Sequence, residues 1–290
     1  MDAGVEAGER RRLLGLAWRL LGSAAEAEDA VQEAYVRWYA LTPARRAAVE
    51  VPAAWFTTVV GRICLDVLGS ARVRRERYVG EWLPEPVPGP LAGAGPVDPA
   101  ERVAADESLS TAFLLVLDAM TPRERVVFVL HDVFRYPFAE IARIVGASPG
   151  ACRQAATSAR RRVRADAPPA PTADRAGVVR RFRRAWEAGD VTALLALLDP
   201  DAVLTVDGGG LVRAALRPIR GGATVADYLC AFATAAARPT LLERTVNGGP
   251  GLIARLGPTT VTVAALDVTA GRVTHIWAVR NPEKLAAWQE

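Results

Sequence analysis

Residues 121–164 read TPRERVVFVLHDVFRYPFAEIARIVGASPGACRQAATSARRRVR, and this stretch decides how the middle of the chain folds. Thr121, followed three residues later by Glu124, makes a capping box that opens a helix, with Pro122 at its first position. The apolar run Val126 to Leu130 carries that helix toward a turn. Phe138 to Val145 (FAEIARIV) predicts a short helix buried through Ile141 and Val145. Gly146-Ala147-Ser148 is a tight turn in which glycine supplies a backbone conformation that other residues avoid, and Pro149 opens the last helix. Helix, three-residue turn with glycine, helix is the helix-turn-helix pattern. The second helix carries Arg153, Gln154, Ser158, Arg160, Arg161, Arg162 and Arg164 and no acidic residue. Ser148, Arg153 and Gln154 stand at its N-terminal end, where a recognition helix meets base edges, and Arg160 to Arg164 suit phosphate contacts. The alternative is a helical hairpin with a solvated arginine face.

Outward from this core the chain divides at two linkers. Residues 80–99 (GEWLPEPVPGPLAGAGPVDP) hold six Pro and four Gly, which excludes helix and central strand. Residues 166–173 (DAPPAPTA) stop the preceding helix. The blocks are therefore 1–79, 100–165 and 174–290. The first block reads as helices at Arg10 to Leu21, Ala24 to Ala40 (capped by Ser23 with Glu26) and Ala53 to Ser70. Pro99 to Met120 reads as a further helix ahead of the helix-turn-helix. Two chemical features stand out in the first block. EAEDAVQEAYVRW, 26–38, is an acidic helix, either merely solvated or a dock for a basic protein. Arg72, Arg74, Arg75 and Arg77 form a basic cluster downstream of Trp55, Phe56 and Arg62; bases stack on aromatics while arginine neutralises phosphate, although Trp55 and Phe56 also suit a core.

The third block changes character. Amphipathic helices at Arg175 to Glu187 and Val191 to Leu198 precede β-rich runs at 202–206, 241–246, 252–256, 259–268 and 273–279, with one helix at about 224–237. The expectation is an α+β domain built on a curved antiparallel sheet.

Composition bounds the rest. The 290 residues are 51% hydrophobic and 23% charged, enough to bury a core and to exclude wholesale disorder. The net charge is +4, of which residues 1–170 carry +1 and 171–290 carry +3. That rules out a polycationic coating protein and leaves any nucleic-acid affinity to local clusters. Lys284 is the single lysine among 36 basic residues, an arginine habit that fits GC-rich coding. Cys64, Cys152 and Cys230 are odd in number and far apart, which fits neither a disulfide framework nor a zinc site, so no metal or cofactor is expected. The N-terminus lacks the order of a signal peptide, and no uncharged apolar run reaches the ~18 residues of a membrane span. A soluble, cytoplasmic protein is the expectation.

AEDAVQEAYVRW (27–38), AAWFTTVVGRICLDVLGSARVRRE (53–76) and the 121–164 segment, in this order, resemble regions 2.2, 2.3–2.4 and 4 of the bacterial extracytoplasmic-function (ECF) σ factors of the σ70 family. The resemblance implies a multidomain protein: two all-α σ-factor domains, a region 2 helical bundle at 1–79 and a region 4 helix-turn-helix at 100–165. It implies core RNA polymerase (β′ clamp helices and β flap) and promoter DNA as partners. Asp29, Gln32 and Glu33 would dock on polymerase. Trp55, Arg62, Asp66, Ser70, Arg72, Arg74 and Arg75 would recognise and open the −10 element. Ser148, Arg153, Gln154, Ser158, Arg160 and Arg161 would read the −35 element. Cys152, Ala155 and Ala156 depart from the family pattern, where larger or basic residues are common. The third block resembles the SnoaL-like domains of the nuclear-transport-factor-like cone fold, which a subgroup of these σ factors carries after region 4. Trp82-Leu83-Pro84-Glu85-Pro86, Asp207-Gly208-Gly209-Gly210 and Asn281-Pro282-Glu283-Lys284-Leu285 carry that match and are implied to be regulatory. The concave sheet of such a domain leaves room for a small ligand.

A catalytic role for the third block would need an acid–base pair, for which Asp207 and His275 are the candidates. In VTHIWAV the alternation puts Val273, His275 and Trp277 on one face, where a lone histidine reads as a wall residue, so no catalytic residue is assigned. The leading expectation is a σ factor tuned by its own C-terminal domain. The alternatives are a ligand-responsive helix-turn-helix regulator that never touches polymerase, and an isomerase- or hydrolase-type enzyme fused to DNA-binding helices.

Overall fold

The computed structural model describes residues 3–75, 78–89, 110–165, 174–233 and 239–289. Among them the chain forms two compact units: 3–75 with 113–165, and 78–89 with 110–112, 174–233 and 239–289. Residues 90–99 of the first linker, the first part of the expected helix at 99–120, all of 166–173 and the last residues of the helix at 224–237 lie outside the described residues.

The first unit is all helix. α1 (Ala3–Leu21), α2 (Ala24–Ala40), α3 (Pro43–Ala47) and α4 (Pro52–Arg75) come first. Ser23 caps α2 by accepting from the Glu26 amide, and Thr42 does the same for α3, a short helix that the sequence pattern did not disclose. Leu13, Leu16, Leu20, Val31, Phe56, Val60, Cys64 and Leu68 are buried at helical spacing and make the core of this bundle. The segment Pro52–Ser70 of α4 is long and apolar enough by composition to cross a membrane, with a mean hydropathy of 1.2, but it carries Arg62 and Asp66 and packs on α1 and α2.

α5 (Thr111–Asp118), α6 (Pro122–Phe128), α7 (Phe138–Val145) and α8 (Pro149–Ala165) follow. The capping box at Thr121 and Glu124 is present in full. α6 continues as a π-helical turn, Val129–Val133, and Gly146 ends α7 in the left-handed conformation at φ 62°. That conformation is open to glycine at no steric cost and turns α7 into α8. α7 packs on α4, so the two helical blocks share one unit.

In the second unit, α9 (Arg175–Ala188), α10 (Val191–Leu197) and α11 (Gly222–Ala233) lie on a six-stranded sheet. The strands are β1 (Leu198–Asp207), β2 (Ile219–Arg220), β3 (Thr240–Val246), β4 (Gly249–Leu256), β5 (Thr259–Thr269) and β6 (Arg272–Val279), in the order β2-β1-β6-β5-β4-β3. The sheet is mixed and not antiparallel throughout: β1 and β6 pair in parallel, because the long excursion through α11 and β3–β5 returns the chain alongside β1 in the same direction. Register shifts in β1, at Ala254/Arg255 and at Asp267/Val268 bend it into a curve. Val178, Phe182, Trp186, Leu194, Leu204, Leu229, Leu266 and Ile276 fill the face under the helices, and Trp186 donates its indole N–H to the Leu229 carbonyl at 2.8 Å.

Candidate nucleic-acid faces and the linker clasp

On α2 the buried residues Ala27, Ala30, Val31 and Ala34 turn inward, which leaves Asp29, Gln32 and Glu33 exposed together on the opposite face. Val36 (56% exposed) and Tyr39 (59%) extend that face, so the acidic patch has an apolar end that the sequence reading did not flag. Glu33 accepts from Arg37 at 2.9 Å in a solvated i,i+4 pair of small energetic weight.

On α4, Arg62, Asp66 and Ser70 are exposed at helical spacing. Ser70 donates to the Val67 carbonyl and Arg62 to the Arg143 carbonyl, at 2.9 and 2.8 Å. Trp55 is half-buried, its ring 5.0 Å from Trp38 and 5.2 Å from Phe56, whereas Phe56 itself is core. The side chains of Arg72, Arg74 and Arg75, and the whole of Arg77, lie outside the described residues.

On α8, Cys152, Ala156 and Ala159 form the buried stripe, so two of the departures from the family pattern sit on the packing side of the helix. Arg153, Gln154 and Arg161 are exposed on the other side. Ser148 accepts from the Ala151 amide at 3.1 Å and so caps the helix. Ser158 and Arg160 turn toward their own domain: Ser158 hydrogen-bonds Glu124, and Arg160 donates to Asp132 at 2.7 Å. Thr157, which the sequence reading passed over, is exposed one turn beyond Arg153, and its hydroxyl donates to the Arg153 carbonyl at 2.9 Å. Burial works against the charge of Glu124, yet hydrogen bonds from Ser158 and Thr121 and the nearby Arg162 outweigh it and hold its carboxyl below the ordinary range.

The three short motifs of the third block and the linker meet in one place. Asp207 ends β1 and is fully buried. Its Oδ1 accepts from the Tyr78 hydroxyl (2.7 Å) and the Gly209 amide (3.0 Å), and its Oδ2 from the Leu83 amide (2.9 Å) and Lys284 Nζ (2.7 Å). Four donors thus satisfy the carboxylate. Lys284 Nζ also donates to the Leu83 carbonyl at 2.6 Å and lies over the Trp82 and Tyr78 rings, 4.4 and 4.9 Å from their centroids. Asn281 donates to the Tyr78 hydroxyl at 2.9 Å and caps the 3-10 turn Pro282–Trp288. Gly209 must be glycine twice over: its φ is 61°, and a Cβ there would overlap the Asn281 amide. Burial, and then the hydrogen bond to Asp207, raise the Tyr78 phenol above its ordinary range.

Farther along the linker, Trp288 donates its indole N–H to the Pro86 carbonyl at 2.8 Å. Val87 exchanges hydrogen bonds with Asn247, its amide donating to Oδ1 at 2.9 Å and its carbonyl accepting from the Asn247 amide at 3.1 Å. Asn247 Nδ2 donates to Thr111 Oγ1 at 3.0 Å, and Gly89 donates to the Thr245 carbonyl at 3.2 Å, so 87–89 lie along the end of β3 while 78–83 sit at the end of β1. Leu83, Pro84, Glu85, Pro86 and Val87 are buried. Trp82, Leu83, Asp207, Gly209, Asn281 and Lys284 are therefore brought together; Gly208 is buried beside Asp207, and Pro282 is exposed at the start of the 3-10 turn. Tyr78, Asn247 and Trp288 were not anticipated. The available signal was Lys284 itself, a lysine where the chain otherwise uses arginine.

Asp207 and His275 do not form a catalytic pair. They stand four residues apart along the β1–β6 ladder, Asp207 opposite Val279 and Val203 opposite His275, or ~13 Å. His275 is exposed and stacked on Trp277 at 5.4 Å, and the register shift at Asp267/Val268 buries Val273 in the helix-covered core instead of on their face.

Comparison with known proteins matches these parts one by one. Residues 8–77 fit the Sigma-70 region 2 family, residues 110–163 the Sigma-70, region 4 family, and residues 179–288 the SnoaL-like domain family. The ECF RNA polymerase sigma factor SigJ of Mycobacterium tuberculosis is 37% identical over 302 residues, covering 95% of this chain and 90% of the relative. The probable ECF RNA polymerase sigma factor SigI of the same species is 35% identical over 282 residues, covering 95% and 92%. The crystal structure of M. tuberculosis SigJ superposes with a TM-score of 0.76 at 34% identity, over 99% of each chain. Region 2, region 4 and SnoaL-like matches thus follow one another along the chain, and relatives that match it over nearly its whole length are σ factors of one kind: the chain belongs to the extracytoplasmic-function RNA polymerase σ factors.

Proposed function

We propose that this σ factor directs core RNA polymerase to its promoters in the cytoplasm, without catalysis of its own, and that its SnoaL-like domain regulates it by gripping the linker between regions 2 and 4. The observation that carries the regulatory part is the Asp207 carboxylate, whose Oδ2 is held jointly by the Leu83 amide of the linker and by Lys284 of the C-terminal motif. The domain boundaries 1–79, 80–99, 100–165, 166–173 and 174–290 follow the functional division, even though residues 78–89 fold with the C-terminal domain.

Asp29, Gln32 and Glu33, with Val36 and Tyr39, present an acidic and apolar face suited to the β′ clamp helices; the β flap is the expected partner of region 4. Trp55, Arg62, Asp66, Ser70, Arg72, Arg74 and Arg75 are the −10 set. Arg153 and Gln154 read −35 bases, joined by Thr157, whose hydroxyl is turned to its own helix and whose methyl is free to meet a thymine. Arg161 contacts phosphate. Ser148 acts as a cap, and Ser158 and Arg160 support the helix from inside the domain.

In vitro transcription with core polymerase tests both parts. Reversal of Asp29 and Glu33 to lysine is expected to abolish holoenzyme formation while sparing the fold, and unchanged assembly would refute the docking assignment. A Lys284→Ala protein is expected to transcribe at an altered level on the same promoter; identical transcription by it and the wild type removes the regulatory reading.

A further inference from the structure

His275 and Trp277 take no part in the clasp, and they stand where the sheet is open. The register sets Arg220 of β2, Val203 of β1 and His275 of β6 in one row, and Thr205, Trp277 and Ala265 in the next row on that face. Their chain neighbours Leu204, Ile276 and Leu266 point the other way, into the core under α9 to α11, so both rows lie on the face away from the helices. Arg220 and His275 are exposed there, and Val203, Thr205, Ala265 and Trp277 are only half-buried although they sit in the middle strands. The His275 and Trp277 rings lie within 13° of parallel, with centroids 5.4 Å apart. A parallel pair of this kind is extended by any further flat ring.

The charge beside this pair is one-sided. From Gly208 to Ala226 the chain carries Arg213, Arg217 and Arg220 and no acidic residue, and all three side chains are exposed. No ion pair among the described residues takes up any of them. Asp267, the acid that faces His275 across the β5–β6 ladder, is engaged by Arg175 at 3.3 Å and by the Val268 amide at 3.1 Å. Arg220 and His275 are two strand spacings apart, ~10 Å, the scale of a nucleotide from phosphate to base. Arginines that follow a backbone beside aromatic rings that take its bases are the means by which single strands are held without regard to sequence. A duplex hides its base faces in its own stack, and an acidic peptide offers arginine its anions without a succession of flat rings. We infer that the open sheet face of the C-terminal domain binds single-stranded DNA, with Arg217 and Arg220 on the phosphates and His275 and Trp277 stacked with bases. The source of the strand rests on the −10 reading above, since opening of that element releases single-stranded DNA during initiation.

The test is photocrosslinking of the full-length protein to single-stranded oligo-dT in which one thymine is replaced by 5-bromouracil. Trypsin cuts after Arg272 and Arg280, so His275 and Trp277 fall together on the peptide 273–280, apart from every other aromatic residue. An adduct on that peptide is expected. His275→Ala should lower its yield at limiting DNA by roughly five- to 150-fold, the loss of one stacked base. Arg217→Ala with Arg220→Ala should flatten the salt dependence of that yield by about 1.4 in log–log slope, at about 0.7 per phosphate of a single strand. All three positions are exposed, so the fold is expected to survive. Adducts confined to other peptides overturn the site, and so does an adduct on 273–280 that neither variant changes. A face that takes bromouracil in oligo-U RNA and not in DNA overturns it as well. Adducts on the Trp55 peptide, 47–62, read the −10 assignment separately: their absence counts against that assignment and leaves the sheet face standing.

Discussion

Replacing Lys284 by alanine removes one of four donors from a carboxylate that has no exposure to water, and with it a cation lying over two aromatic rings. Breaking one side of a buried ion pair costs about 3–5 kcal/mol. Three donors on Asp207 survive the change, from Tyr78, Leu83 and Gly209, which puts the loss at the lower end, about 3 kcal/mol. If that energy holds the linker on the domain, hydrogen exchange at the Leu83 and Val87 amides should accelerate ~150-fold, since 1.4 kcal/mol is tenfold. If it holds the domain itself, the melting transition should fall by ~12 °C for a domain of about 120 residues. Lys284→Arg keeps the charge, but a planar fork cannot serve the Leu83 carbonyl, Asp207 and both rings as one compact ammonium does, so an intermediate loss is expected. A cycle of Asp207→Asn with Lys284→Met should show a coupling of at least ~1 kcal/mol. Unchanged exchange at Leu83 together with an unchanged melting transition would refute the clasp.

Three other outcomes are expected. Tyr78 should ionise well above the ordinary tyrosine value near ~10, so the neutral phenol's contribution is present below that pH and lost as pH rises past it; tyrosinate absorbance with and without Tyr78→Phe isolates the delayed step among the five tyrosines, and coincident titrations would contradict it. Glu124, held below its ordinary range, contributes stability that is present above its unfolded value near ~4.3 and lost as pH falls through its folded value; circular dichroism of wild type against Glu124→Gln should differ at neutral pH and converge in acid. Alanine at Arg153 or Gln154, and serine at Thr157, which removes the methyl and keeps the hydroxyl, should each change binding by roughly 1–3 kcal/mol at one −35 position, whereas alanine at Arg161 should weaken all sequences alike and lower the salt slope by about 1; a uniform loss at Arg153 would make it a phosphate contact only.

The helix-turn-helix was legible residue by residue. Thr121 with Glu124, Gly146 and Pro149 act through hydrogen bonds and backbone preferences that reach only three or four positions, and the structure places cap, left-handed turn and helix start where they stand in the sequence. The buried and exposed faces of α2 were legible for the same reason, because a 3.6-residue period is local; on α4 the period points to Trp55, Val59, Ile63 and Val67, whereas the core takes Phe56, Val60, Cys64 and Leu68 one position on, which packing alone decides. On α8 local reading fell short: Ser158 and Arg160 face Glu124 and Asp132, 34 and 28 positions away, and only packing shows which of two adjacent residues, Thr157 or Ser158, remains outside. The sheet was less legible: the short β2 (Ile219–Arg220) and the bulge that carries Val273 into the core are not read from the alternation, and neither is strand direction. Strand positions follow from β-branched alternation, but the parallel pairing of β1 with β6 joins residues over seventy positions apart, as Val203 and His275 are, and nothing local encodes direction.

The clasp marks that boundary most clearly. The sequence by itself determined that three short motifs exist, and that a lone lysine stands in one of them despite an otherwise all-arginine habit. It determined that 80–99 is neither helix nor central strand. That Tyr78, Leu83, Asp207 and Lys284, spread over more than two hundred positions, share one carboxylate was decided only by the tertiary structure. The reason is physical: caps, turns and periodic faces are settled by energies within a turn or two of chain, whereas a buried charge is stable only where folding gathers its partners from distant parts of the chain.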